Sequence, residues 1–586
     1  ERLEAILLPL VEIKNLSFRY HGHENYVLKN INLDVHAGEF ILIIGPSGGG
    51  KSTLVNCING IIPHVIEGVK KGKVIVDGYD VDETPIKEMA KIVGTVFQNP
   101  ETQFFSLSVL DEIAFAMENL KFSREEMEER INWVIQELGL EGLLRKEVSR
   151  LSGGQKQLVA IASVLALQPK LLIFDEPTTN LDPQGAYEVL NIIEKIKEFY
   201  GRAIILIEHK LDKVAPLADR IWVISNGEVI IDDTPQEVFK NPGKIYELGL
   251  KPPSIVEISI RLRNEGLIEP SELPLTVDEF MDIIQKYNLR NVSSRDFTFT
   301  TDRITINSSD KPLIEVRNLW HQYPDGTVAL RGISLDIYKG EFVGIIGPNG
   351  SGKSTLVSHF LGLLSPSHGY VKIFGRNVRE YSVSQLSKIV GFIFQNPDLM
   401  LFQTTVWNEL AFGPSNLGLP KKEIERRVKE ALAMMRLEGF EERHPHALSR
   451  GQRHRVAVAS VLTMYPEILI ADEPTTGQDY GACRKYLDLL KKMNEAGRTI
   501  IIISHDMSLI AEYVERVIIM VDGRILIDGP TRSIFEKEDL LRKVRIEPPP
   551  PTQLSLRLKD NGYDVPVCLT VDEVHTVIRS LLAADK

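Results

Sequence analysis

Two lysines are placed for phosphate chemistry. Lys51 ends the loop of Gly45-Pro46-Ser47-Gly48-Gly49-Gly50-Lys51-Ser52-Thr53, and Lys353 ends that of Gly347-Pro348-Asn349-Gly350-Ser351-Gly352-Lys353-Ser354-Thr355. Both runs fit G-x-x-x-x-G-K-[ST], and each follows an apolar stretch (Phe40–Ile44, Phe342–Ile346) that reads as a buried strand. Helix-forming residues come next, Leu54-Val55-Asn56 and Leu356-Val357-Ser358. A strand, a glycine loop and a helix start aim several backbone N–H groups at one point, where the helix dipole also favours an anion. Such a cradle suits a triphosphate. The lysine reaches the outer phosphates, and the hydroxyl of Ser52 or Ser354 is placed for a magnesium ion.

Downstream, two more apolar runs end in paired acids, Leu171 to Asp175-Glu176 and Ile468 to Asp472-Glu473. A buried strand can deliver its first carboxylate, Asp175 or Asp472, to the magnesium shell beside the phosphate loop. The neighbouring Glu176 or Glu473 can polarise an attacking water. His209 and His505 each follow an apolar strand, 34 and 33 residues after Asp175 and Asp472. That near-equal spacing favours a γ-phosphate contact over a purely structural strand-end histidine.

These residues need a scaffold, and the chain supplies it twice. The two lysines are 302 residues apart and the two aspartates 297. The tails match as well: Ser259-Ile260-Arg261-Leu262 with Ser555-Leu556-Arg557-Leu558, and Leu275-Thr276-Val277-Asp278-Glu279 with Leu569-Thr570-Val571-Asp572-Glu573. Strands alternating with helices imply an α/β fold, a mainly parallel sheet covered by helices. Residues 123–139 and 421–437 carry apolar positions at helical spacing and read as helical middles. The expected division is 11–235 and 312–531 for the nucleotide domains, with small appendages at 236–290 and 532–586. A polar linker at 291–311 separates the halves.

At Leu151-Ser152-Gly153-Gly154-Gln155 the pattern becomes specific. Phosphate loop, glutamine loop, LSGGQ, acid pair and histidine, in that order, resemble the ATP-binding cassette family, over close to four-fifths of the chain. The resemblance implies ATP as the nucleotide, tandem phosphate-loop domains each with a helical subdomain, and further roles by position. Gln98 and Gln395 match the glutamine that touches magnesium and senses a transporter. Tyr20 and Tyr323 match the aromatic that stacks on adenine. Asp182 and Asp479 match the D-loop acid. The resemblance also implies that the halves pair within one chain, Lys353 and Glu473 with Ser152, Gly154 and Gln155, and Lys51 and Glu176 with Ser449, Gly451 and Gln452. The second signature is modified, with Arg450 where the first has Gly153.

The segment after the glutamine narrows the resemblance. Phe97-Gln98-Asn99-Pro100-Glu101-Thr102-Gln103-Phe104-Phe105 looks like the glutamine-loop helix of energy-coupling factor transporter ATPases, in which P-[DE]-x-Q and an apolar residue grip a coupling helix. Pro100, Glu101, Gln103 and Phe104 are the implied partner contacts, with Pro397 and Asp398 in the second half. There Met400 stands where glutamine is expected. Implied partners are a transmembrane coupling subunit and a membrane substrate-binding component, importing a vitamin or a transition-metal ion such as cobalt or nickel. Alternatives are a tandem ATPase of a conventional importer and a ribosome-associated translation factor. The latter class usually carries a long charged helical linker between its cassettes, and the linker here is short.

Bulk properties fit this reading. A net charge of −12 leaves no basic excess for broad nucleic-acid binding. Three scattered cysteines make neither a disulfide framework nor a zinc site. No apolar run reaches the roughly 20 residues of a membrane span, and the chain starts with neither a signal-peptide pattern nor a methionine. The expected location is the cytoplasmic face of the cell membrane, as a peripheral subunit. Because Glu473 is matched with the unmodified signature, Glu473→Gln is expected to lower ATP turnover more than Glu176→Gln. Equal losses in a hydrolysis assay of the purified complex would refute that asymmetry.

Overall fold

The computed structural model describes residues 8–179, 181–269, 273–287, 289–290, 292–299, 311–475 and 480–582, without the side chains of Phe199 and Arg450. The chain divides into two compact units that part at residue 288. Each unit repeats one plan.

The first unit contains two sheets. Strands β1 (Val11–Tyr20), β2 (Leu28–Val35), β4 (Gly68–Val76) and β5 (Tyr79–Asp80) form an antiparallel sheet in the order β2-β1-β4-β5. The larger sheet runs β10-β9-β3-β8-β7-β6, made of β3 (Phe40–Ile44), β6 (Val93–Val96), β7 (Leu171–Asp175), β8 (Ala203–Ile207), β9 (Arg220–Ser225) and β10 (Glu228–Asp233). All its pairings are parallel except β9 with β10.

Burial on both faces explains the unbroken apolar runs of β3, β7 and β8. Side chains alternate, so each strand feeds two cores. Ile41, Ile43, Ile173 and Ile205 meet Val11, Phe18 and Trp222 on the side of the antiparallel sheet. Phe40, Leu42, Ile44, Phe174 and Leu206 meet the helical side, including Val109, Ile113, Val159 and Ile193. The expected parallel sheet is therefore present, but it shares the core with a second, antiparallel sheet that the sequence reading did not separate. Bulges between Ile13 and Leu16 and between Leu16 and Phe18 break the alternation along β1 and hide its register.

The second unit repeats both sheets. Its antiparallel order is β12-β11-β14-β15, with β11 (Ile314–Gln322), β12 (Val328–Ile337), β14 (His368–Ile373) and β15 (Arg376–Asn377). The larger sheet is β16-β17-β18-β13-β19-β20, with β13 (Phe342–Ile346), β16 (Val390–Ile393), β17 (Ile468–Asp472), β18 (Thr499–Ile503), β19 (Arg516–Val521) and β20 (Arg524–Pro530).

The helical middles form as expected, Arg124–Leu138 capped by Ser123, and Lys421–Met435. Paired helices follow each large sheet, Ser254–Asn264 and Val277–Ile284 in one unit, Pro550–Asp560 and Val571–Leu582 in the other. In the linker region, 291 and 300–310 lie outside the described residues, and 294–296 form a single 3-10 turn. The helix Val571–Leu582 is pinned by Arg532, whose guanidinium donates to both oxygens of Glu573 at 2.8 and 2.9 Å. Both side chains are largely buried, at 13% and 11% exposure, so removing the arginine leaves Glu573 the Leu569 N–H but takes away its counter-charge. Arg532→Met is expected to cost about 3 kcal/mol of local stability. Hydrogen exchange checks this: protection should fall in Val571–Leu582 and stay unchanged in Lys51–Ile58.

Candidate active site

The phosphate loop of the first unit links the end of β3 to the helix Lys51–Ile58. A Cβ at Gly45 would lie 2.0 Å from the carbonyl oxygen of Ile224 on β9, and one at Gly347 would lie 2.1 Å from that of Met520 on β19. Only glycine fits so close an approach. Lys51 is buried, and its ammonium donates to the carbonyls of Gly45 at 2.8 Å and Pro46 at 3.0 Å. Lys353 repeats this with Gly347 and Pro348, both at 2.8 Å. The lysine thus spans its own loop, its charge held at the mouth of the cradle.

The acid pairs sit beside these loops. Asp175 ends β7, and Ser52 donates a hydrogen bond to it; burial, the larger effect, pushes its carboxyl up to about 6. In the second unit the Ser354 hydroxyl donates to Asp472 at 3.4 Å, and burial again raises the aspartate. Glu176 and Glu473 have φ of +49° and +46°, a left-handed conformation that is costly away from glycine and concentrates at functional sites. The turn sends each glutamate off the strand axis.

Glu176 gathers three partners. Gln98 Nε2 donates to it at 2.8 Å, Thr179 Oγ1 at 3.2 Å, and His209 Nε2 stands 2.9 Å from Oε1. Burial, the largest single effect, raises this carboxyl, but His209, Lys51 and Thr179 together leave it below the usual range. The structure therefore brings together the glutamine, the glutamate and the histidine that the sequence singled out. In the second unit the His505 N–H donates to Glu473 at 3.3 Å, and His505 Nε2 lies 3.3 Å from Oε1. The histidine segments are anchored differently. Buried Glu208 accepts from the His209 N–H at 2.8 Å and from the Thr178 hydroxyl, whereas Ser504 fills that place in the second unit and accepts from the Asp506 N–H at 3.1 Å.

Signature residues act first as helix caps. Ser152 caps Gly153–Leu165 in a capping box with Gln155, and Ser449 caps Arg450–Leu462 with Gln452. Both serines stand at a helix N-terminus, where an anion is favoured. Gly154 sits where a Cβ would be 3.3 Å from the Cα of Gly185, so the signature helix abuts the helix that Asp182 caps by accepting from the Gly185 N–H at 2.8 Å. The Tyr20 and Tyr323 hydroxyls pair with Thr53 and Thr355 of the phosphate-loop helices at 2.9 and 3.1 Å. Asp479 lies outside the described residues.

The segment after each glutamine is built on a short 3-10 turn. Asn99 precedes a proline, adopts an extended backbone and caps the 3-10 turn Pro100–Gln103. Gln103 faces inward: its Oε1 accepts from the Phe97 N–H and its Nε2 donates to the Thr95 carbonyl, both at 3.0 Å. It closes the loop and does not project outward. Met400 takes its place with only a weak sulfur acceptor, 3.5 Å from the Phe394 nitrogen. Phe104 packs against the helical-side core, and Phe105 is the exposed residue. Two residues went unnoticed in the sequence. Glu112, 4% exposed, accepts from the N–H groups of Phe105 and Ser106 at 3.0 and 2.7 Å. Glu409, 3% exposed, does the same for Phe402 and Gln403 at 2.9 and 2.8 Å. Both stand fourteen residues after the glutamine, a spacing that carried the signal.

A family model for the ABC transporter matches residues 28–179 and again 330–476, covering both phosphate loops and both acid pairs. The chain belongs to the ABC transporter family. Its two cassettes are ATPase domains in tandem, ATP-binding and of the class that powers transport. A relative from Methanosarcina mazei, named as an ABC transporter ATP-binding protein, is 41% identical over 97% of both chains. Another of that name, from Caldanaerobacter subterraneus subsp. tengcongensis, is 42% identical over 93% of this chain and 96% of its own. Among solved structures, cbiO1 from Clostridium perfringens, described as part of the ABC transporter complex cbiONQ, is 38% identical, with a TM-score of 0.37, and covers 40% of this chain and 95% of its own.

The buried Asp175 sets a pH dependence for the nucleotide-free cassette. Its pKa rises from 3.8 to about 6 on folding, so the folded chain holds the proton more tightly. The stabilisation is complete below 3.8 and is lost as pH climbs through 6, about 3 kcal/mol in all. Asp175→Asn is therefore expected to raise the Tm of nucleotide-free protein at pH 7.5 and to leave it nearly unchanged at pH 4. A lower Tm at pH 7.5 would contradict this.

Proposed function

We propose that this ABC ATPase is the motor subunit of an energy-coupling factor type importer. It works under a transmembrane coupling subunit, on the cytoplasmic face of the cell membrane. A separate membrane component would bind the solute, a vitamin or a transition-metal ion. The observation that carries this reading is an exposed aromatic cluster beside each glutamine. Phe105 is 74% exposed and stacks on Phe115 at 5.3 Å, with Leu107 alongside. In the second unit Phe402, 60% exposed, meets Phe412 edge-to-face at 4.7 Å, next to Leu399. Contiguous exposed apolar side chains held on a fixed backbone suit a partner surface, and Glu112 and Glu409 fix that backbone. Among the described residues no helix is long and apolar enough to cross a membrane, so the membrane element of this reading belongs to a partner.

The site residues take the roles the sequence suggested. Lys51 and Lys353 hold the outer phosphates, Glu176 and Glu473 orient the attacking water, and His209 and His505 leave their glutamates to meet the γ-phosphate. Hard oxygen donors at Ser52 with Asp175, and Ser354 with Asp472, suit Mg2+, which keeps room for phosphate oxygens and water; Gln98 and Gln395 would complete its surroundings. The ion would neutralise charge developing on the γ-phosphate. The two cassettes act as one pair at fixed 1:1 ratio, with the nucleotide domains at 11–235 and 312–531 and the appendages after each. Pull-down of tagged chain from detergent-solubilised membranes is expected to recover integral membrane subunits, and Phe105→Glu with Phe402→Glu to abolish recovery while ATP hydrolysis persists. Recovery of ribosomes in their place would favour the translation-factor reading and overturn this one.

A further inference from the structure

The acid in the turn after each glutamine has an ion-pair partner within its own unit. Glu101 forms an ion pair with Lys156, the residue immediately after the LSGGQ run. In the second unit Asp398 pairs with Arg453 at 2.6 Å, at the matching position after Gln452. The cations are the sheltered partners, with Lys156 15% and Arg453 21% exposed. The pairing survives a change of both residues: a longer acid with lysine in one unit, a shorter acid with the longer-reaching arginine in the other.

The cations stand in an unfavourable place unless an acid is near. Both belong to the first turn of the signature helix, where the dipole repels positive charge. A carboxylate there interacts well with the cation and with the helix end together. Arg453 also donates to the Leu448 carbonyl at 2.9 Å, reaching across the capping serine. Each acid is itself fixed. The Glu101 N–H donates to Asn99 Oδ1 at 3.1 Å, and that of Asp398 to Asn396 Oδ1 at 3.0 Å. His446 adds a contact to Asp398 at 3.9 Å.

We propose that Glu101–Lys156 and Asp398–Arg453 are ties that make the turn after the glutamine and the first turn of the signature helix move as one body. Lys156 and Arg453 are then positioning residues for Ser152 and Ser449. One end of each tied body is the exposed aromatic cluster, and the other is the serine expected to meet phosphate. A push on Phe105 or Phe402 then has a polar route to the serine through the ion pair, beside the apolar packing of the helices Val109–Asn119 and Val406–Asn416 on the signature helices. The glutamate and aspartate, implied as partner contacts by resemblance, are internal fasteners in this arrangement. The proposal rests on the signature serines acting in hydrolysis.

Steady-state hydrolysis by the full chain tests it, with Glu101→Gln, Lys156→Met and the reversed pair Glu101→Lys/Lys156→Glu. Each single variant is expected to lower kcat about three- to fivefold. KM for ATP should stay within about twofold and Tm within about 2 °C, since the phosphate loop and the core are untouched. The reversed pair is expected to restore most of the lost kcat. Single variants with unchanged kcat overturn the proposal. So does a reversed pair as slow as the singles, which would mean Glu101 acts on something other than Lys156. A Tm loss that tracks the kcat loss would make the pair a stability element and also overturn it. Ser152→Ala runs in parallel: if it leaves kcat unchanged, the signature reading itself fails, whatever the ion pair does.

Discussion

The large sheet of each unit is buried on both faces, and that constraint decides where chemistry can occur. Polar groups cannot sit along β3, β7 or β8 without being desolvated. They are displaced to the strand ends, and because the strands are parallel, the carboxyl ends all lie together. The glycine loop leaves β3, Gln98 follows β6, Asp175 and Glu176 end β7, and His209 follows β8. These strands are consecutive in the order β3-β8-β7-β6. Residues up to 164 positions apart in the chain become neighbours because four hydrophobic strands share one edge. The second unit repeats the arrangement with β13, β16, β17 and β18.

Around that edge, loops are held by side chains bonding to backbone. Capping boxes fix the signature serines, Asp182 fixes the helix beside Gly154, and Glu112 and Glu409 fix the segment carrying the exposed aromatics. A buried carboxylate with two backbone donors is satisfied at little cost, whereas the same carboxylate unpaired would be expensive. The loops are therefore ordered without being part of the core. In the first unit the histidine segment also connects outward, since Asp212 accepts from the Ser254 N–H at 2.6 Å at the start of the helix Ser254–Asn264.

Much of this was legible in the sequence, for identifiable reasons. Strands β3, β7, β8 and β18 were readable as apolar runs, because burial on both faces confines polar residues to the strand ends, as with Asp175 and Thr499. The phosphate loop, Glu176 and His209 were readable because each follows such a run directly. The antiparallel sheet was not, because bulges in β1 break its period of two. The inward turn of Gln103 was hidden because its partners, Thr95 and Phe97, are backbone groups, and backbone has no signature in sequence. Glu112 and Lys156 carry no local signal, since charged residues are ordinary on a helix. Their roles depend on which turn folds onto them, a matter of tertiary packing. The repeat held the missing signal, since Glu409 and Arg453 recur at matching places.

If each half is a self-contained phosphate cradle, the number of nucleotides bound is the most direct measurement. Equilibrium dialysis of the intact chain with labelled ATP should give two per chain, one with either Lys51→Ala or Lys353→Ala, and close to none with both. Undiminished binding by the doubly substituted chain would contradict the account at its base.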